Sequence, residues 1–173
     1  MPHKIQIIFF LIFTILFLQS CENNQENNQS ELFRKFENEF QNSIKKSNAK
    51  NFEYNFDALT PQKSYFVNCK LRYLTIRKSG ELITTTELIT FENDSISKII
   101  QQIEIYEGND NGNSAGRNWN KKNRDSIYVI DYIKREKDVY VNNKLNKSVK
   151  QLVEENEFIY KMKENTEKNY NCR

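Results

Sequence analysis

The chain has 173 residues, with 26 Lys+Arg against 23 Asp+Glu and a formal net charge of +3. That length suits one domain with a targeting segment, and so even a balance of charge gives no support to nucleic-acid binding. The only histidine is His3. A chain relieved of its first residues therefore has no imidazole, which excludes Ser-His-Asp and Cys-His catalysis and removes the commonest ligand for zinc, copper and iron.

From Ile5 to Leu18 only Gln6 and Thr14 interrupt Ile, Phe and Leu, with His3 and Lys4 before the run and Gln19, Ser20 and Cys21 after it. The run is shorter than the about 20 residues that a membrane-spanning helix needs. A basic start, an apolar middle and a small residue at the end are the parts of a secretory signal. Leu18-Gln19-Ser20-Cys21 resembles the lipobox of bacterial lipoproteins, with Gln19 standing where that pattern prefers a small or aliphatic residue. The resemblance implies removal of residues 1–20 and acylation of Cys21, including a palmitate-like chain. It further implies a protein held by its N-terminal lipid in the cell envelope, at the outer membrane, since Glu22 rather than Asp follows the Cys.

Residues 21–29, whose ENNQENNQ repeat holds no apolar side chain, read as a flexible tether of at most about 30 Å. Ser30 is a plausible N-cap, and Leu32, Phe33, Phe36, Phe40 and Ile44 then recur at helical spacing opposite Glu31, Arg34, Lys35, Glu37 and Lys45. This amphipathic helix is expected to lie on the domain's own sheet. After Pro61 the period changes to two. Val67, Cys69, Leu71 and Tyr73 form the apolar side of a strand that turns at Lys78-Ser79-Gly80-Glu81. Leu82 to Phe91 is the next strand, Asn93-Asp94 the next turn, and Ile99, Ile103 and Ile105 share a face of the strand after it.

Gly108 to Asn123 reads as a long irregular loop, followed by strands at Ser126–Lys134 and Val139–Val141. Leu145, Val149, Leu152 and Val153 fit a helix slightly better than a hairpin turned at Asn142-Asn143, so residues 144–155 stay open between the two. Phe158, Tyr160 and Met162 suggest a last strand, and residues 164–173 a polar tail. The fold class is α+β: an N-terminal amphipathic helix packed on an antiparallel β-meander, in one domain over residues 30–163.

The chemistry offers few candidates. No phosphate-cradling glycine motif is present and no cofactor is implied. Glu107, Asn109, Asn111 and Gly112 partly match a calcium-loop spacing, but Asn118 stands where a bidentate acid belongs, so no metal site is expected. The long loop holds the only Trp, Trp119, among Arg117, Lys121, Lys122 and Arg124. It is the best candidate binding loop, able to stack on a glycan, sit at a lipid headgroup layer or anchor an envelope protein, unless Trp119 folds back to plug the sheet. Cys69 and Cys172 form a possible disulfide, although a buried thiol on the strand's apolar face is the favoured reading of Cys69. Asp94-Ser95-Ile96 and Asp125-Ser126-Ile127 resemble the O-glycosylation pattern of secreted Bacteroidota proteins. These features point to a non-enzymatic, membrane-anchored binding module. The alternatives are a carrier or chaperone of a hydrophobic ligand, and a carbohydrate-active enzyme working through paired carboxylates.

Overall fold

The computed structural model describes residues 30–57, 60–108, 116–150 and 156–172, with the backbone alone of residues 117, 119 and 120. The elements are α1 (Glu31–Lys46), β1 (Lys50–Phe52), β2 (Gln62–Val67), β3 (Lys70–Ser79), β4 (Ile83–Glu92), β5 (Ser95–Gly108), β6 (Arg117–Asp131), β7 (Glu136–Val141), β8 (Lys144–Lys150) and α2 (Glu157–Asn169). Their chain order is also their spatial order, since the strands form one eight-stranded sheet running β1 to β8 with every neighbouring pair antiparallel.

Local chemistry accounts for this order. Three of the hairpins close through Asn68-Cys69, Asn93-Asp94 and Asn142-Asn143, both residues of each pair having positive φ. That is the geometry of the tight turn whose twist matches the strands it joins, and Asn and Asp tolerate it better than most residues. The β6–β7 turn is longer. There the Asp131 side chain accepts the Lys134 backbone N–H at 2.9 Å and Arg135 takes positive φ.

α1 begins where expected, the Ser30 hydroxyl accepting the Phe33 backbone N–H at 3.3 Å. Phe33, Phe40 and Ile44 are buried against Leu88, Ile100 and Ile127, so the Phe stripe lies on the sheet. The opposite sheet face carries Leu74, Ile76, Ile89, Phe91 and Ile99, on which α2 lays Ile159 and Met162. Each face thus has its own helix, and the central strands are buried from both sides.

Several expectations are corrected. The fold is mostly β rather than an even α+β mixture, with α1 the first described element. Residues 144–150 are a strand, because the Asn142-Asn143 turn sends them back along β7; residues 151–155 lie outside the described residues. Phe158, Tyr160 and Met162 belong to a helix. The buried set there is Ile159, Met162, Lys163 and Thr166, at helical spacing, and Asn156 caps it by accepting the Ile159 N–H at 3.2 Å. The tail expected from residue 164 is mostly the rest of that helix. Within the expected Gly108–Asn123 loop, Gly108 and residues 117–123 are strand, since β5 continues to Gly108 and β6 starts at Arg117, and residues 109–115 lie outside the described residues. The calcium-like residues Asn109, Asn111 and Gly112 lie outside the described residues.

Candidate functional site

The cationic segment Arg117–Arg124 is paired backbone rather than a free loop. Gly108 faces Arg117, Glu107 faces Asn118, Tyr106 faces Lys122 and Ile105 faces Arg124, leaving residues 119–121 with no opposite number on β5. Trp119 therefore lies in a wide bulge of β6. The alternation of the strand then separates the predicted residues. Lys121 is exposed and pairs with Glu107 at 3.5 Å. Lys122 turns to the α1 side, whereas Arg124 turns to the α2 side and donates from Nε to Ser126 Oγ at 3.0 Å. The segment expected to form one site thus serves two faces.

On the α1 side Lys122 completes a charged cluster. Its ammonium lies 2.5 Å from Glu104 Oε1 and 3.4 Å from Asp125 Oδ2, with all three side chains largely buried. Glu104 and Asp125 stand opposite each other on β5 and β6, and Gln102 donates from Nε2 to both Asp125 oxygens at 3.1 Å. Cross-strand spacing of about 5 Å would suit the two acids of a retaining glycosidase. Here both carboxylates are engaged by Lys122, so the cluster ties β5 to β6. Composition alone could not single out this pair among many acids; the signal is that Glu104 and Asp125 share the sheet side of Gln102.

The other face is only half covered. α2 reaches the cross-strand row Ile89–Ile99–Ile130, where all three side chains join its core. Beyond it the sheet continues in a row of Gln101, Tyr128, Val139 and Lys147, and in a second of Ile103, Ser126, Val141 and Lys144. Tyr128, Val139, Val141 and Ile103 are half-buried, Ile83 at the border is 46 % exposed, and Arg124, Lys144 and Lys147 are exposed. Lys137 sits over the Tyr128 ring at 5.1 Å. The acid of this region, Glu87, is buried and accepts Gln101 Nε2 at 2.6 Å. The result is an apolar floor fringed by cations.

Searches against protein-family models, curated proteins and solved structures return no match to this chain. The site must therefore be judged on its own chemistry. Among the described residues no group of His, Cys, Asp and Glu side chains is placed to hold a metal ion, and no helix is long and apolar enough to cross a membrane.

The remaining predicted residues fall as follows. Cys21 lies outside the described residues. Cys69 and Cys172 are joined by a disulfide across a sequence separation of 103, with Cα atoms 5.6 Å apart. The favoured reading of Cys69 as a buried thiol is thereby overturned: it sits exposed in the β2–β3 turn at positive φ, because the strand ends at Val67. Ser95 is exposed beside its turn, while Ser126 is buried.

Sequence reasoning missed the lock between α2 and the hairpins. Asp94 is bonded by Lys70 at 3.2 Å and Lys163 at 3.4 Å, and Lys163 also holds Glu167 at 2.8 Å. Glu167 in turn accepts the Leu71 backbone N–H at 3.0 Å. The Lys70 hydrogen bond, supported by the charge of Lys163, keeps the Asp94 carboxyl below its ordinary 3.8. The sequence marks Asp94 as a turn residue but not as the centre of this lock, because its partners are spread over β3 and α2.

Proposed function

We propose that this protein is a lipid-anchored envelope lipoprotein that works as a non-enzymatic binding module, attached through Cys21 and engaging its partner with the open half of the α2-side face. The observation that carries the reading is the row of half-buried apolar side chains beyond α2 with exposed Arg124, Lys144 and Lys147 around it. A contiguous apolar surface rimmed by polar groups is the usual form of an interaction site. Arg117, Trp119, Lys121, Lys122 and Arg124 no longer act as one loop in this reading: Lys122 turns to the α1 side and Arg124 to the binding surface, while the side chains of Arg117 and Trp119 lie outside the described residues.

The carrier reading needs room between helix and sheet. Phe33, Phe40 and Ile44 occupy that interface under α1, and Ile159 and Met162 occupy it under α2.

Anchoring is tested by feeding cells an alkyne-tagged palmitate and recovering the full-length chain. The wild-type protein is expected to carry the tag and to stay with the membrane fraction, and Cys21→Ala to lose both. A tagged Cys21→Ala chain, or an untagged wild type, would overturn the anchor.

A further inference from the structure

We infer that the open half of the α2-side face is a docking surface for an anionic phospholipid bilayer, seated there by the tether; this rests on the lipid-anchored reading above. Three observations converge. The first is the separation of charge by strand register. Arg124, Lys137, Lys144 and Lys147 all fall on the α2 side of β6, β7 and β8, being register partners of Ile105, Ile130, Val141 and Val139. The carboxylates of the same strands, Asp125, Asp131, Glu136 and Asp138, fall on the α1 side with Glu104, Lys98, Lys150 and Val129 as partners. Alternation with a period of two leaves the α2 side of these three strands cationic, while their carboxylates lie on the α1 side beside Lys122 and Lys150.

The second observation is the tether's point of entry. The Ser30 hydroxyl donates to the Asn143 side chain, so residue 30 meets the sheet at the β7–β8 turn, next to Lys144. Residues 21–29 allow at most about 30 Å between the lipid and that turn. The edge nearest the anchor is thus the one bearing Lys144 and Lys147.

The third is the nature of the floor. Ile83, Ile103, Tyr128, Val139 and Val141 give a partly exposed apolar area that suits the boundary between headgroups and acyl chains, where lysine stems also reach outward to phosphate. A second copy of the chain on this face would oppose cation to cation. A partner strand added to β8 would meet lysines at the edge, a pattern that resists strand pairing. The outer side of α1, by contrast, mixes Arg34, Lys35, Lys45 and Lys46 with Glu31, Glu37 and Glu39, so cations and acids share it.

The test is lysine labelling of the full-length protein. The membrane-extracted chain is reconstituted in vesicles of phosphatidylcholine, with or without about a third phosphatidylglycerol, and treated with an amine-reactive reagent. Lys144 and Lys147 are expected to label about ten-fold more slowly in the anionic vesicles, with Lys35 and Lys46 of α1 unchanged and the protection lost at high salt. Arg124→Gln with Lys144→Gln and Lys147→Gln, all exposed positions, should abolish the matching protection of Lys137 while leaving the circular dichroism spectrum intact. Equal labelling in both vesicles would overturn the inference. So would protection independent of phosphatidylglycerol, or protection that grows with protein concentration in the absence of vesicles, which would mark a self-association face. The mass of the Cys21 peptide from the same sample reads the anchor separately, so an unacylated Cys21 and an unprotected face are distinct failures.

Discussion

Among the described residues Lys122 is the cation that pairs with the buried acids Glu104 and Asp125, and the energetics of such an arrangement are asymmetric. An ion network of this kind contributes little in itself, but removing one partner leaves charge stranded away from water. Lys122→Met is therefore expected to destabilise the fold by about 3–5 kcal/mol, read from urea unfolding at neutral pH. Adding Glu104→Gln and Asp125→Asn to Lys122→Met should restore most of the loss, because no stranded charge then remains. An unchanged midpoint in Lys122→Met would show that water reaches the cluster. Little of this was visible in the sequence. Lys122 and Arg124 read as one cationic patch, yet their side chains leave the strand on opposite sides, because the bulge near residue 119 sets the register. Cys69 failed for a related reason: the apolar alternation around it runs through a turn that only Asn68 announces.

At the level of elements, α1 was legible because its cap, its Phe stripe and its flanking charges agree. α2 was not, since Phe158, Tyr160 and Met162 happen to alternate, and the helical set Ile159, Met162 and Thr166 is short. What settles α2 is tertiary, namely the sheet face waiting for Ile159 and Met162, and the lock at Asp94. That lock has a pH sense. Asp94's carboxyl is held below its ordinary value by Lys70 and Lys163, so its contribution is complete above that value and disappears as pH falls through the lower folded one. Thermal unfolding followed from about pH 4 downward should show Tm falling less steeply in Asp94→Asn than in the wild type. Parallel curves would mean that Asp94 does not couple α2 to the hairpins.

For the whole molecule, the run of strands and short turns was readable as a meander, since nothing in the chain could supply the crossovers that parallel strands need. The balance of classes was misjudged, because residues 117–123 and 144–150 lack apolar alternation and are strands only by pairing with their neighbours. The Cys69–Cys172 bridge adds a constraint on the scale of the molecule. A closed loop of about a hundred residues limits the unfolded chain strongly, and losing such a bridge costs about 2–5 kcal/mol. Adding reductant, or replacing Cys172 with Ser, should lower the urea midpoint accordingly. Identical midpoints, with equal alkylation under denaturing conditions whether or not reductant is present, would show that the thiols are free.

The position of that bridge divides the chain mechanically. Everything from the β2–β3 turn to the end of α2 lies inside a covalent ring, whereas α1, β1 and β2 lie outside it. In the lipid-anchored state proposed above, tension from the membrane would enter at Ser30, where it would meet the bond to Asn143 and then Phe33. A steady pull would lift α1 from its first turn onward, freeing Phe33 before Phe40 and Ile44, while the ring keeps β3 to β8 and α2 together. The leading helix is thus the part of the protein that yields to force, and the ringed sheet is the part that keeps its shape.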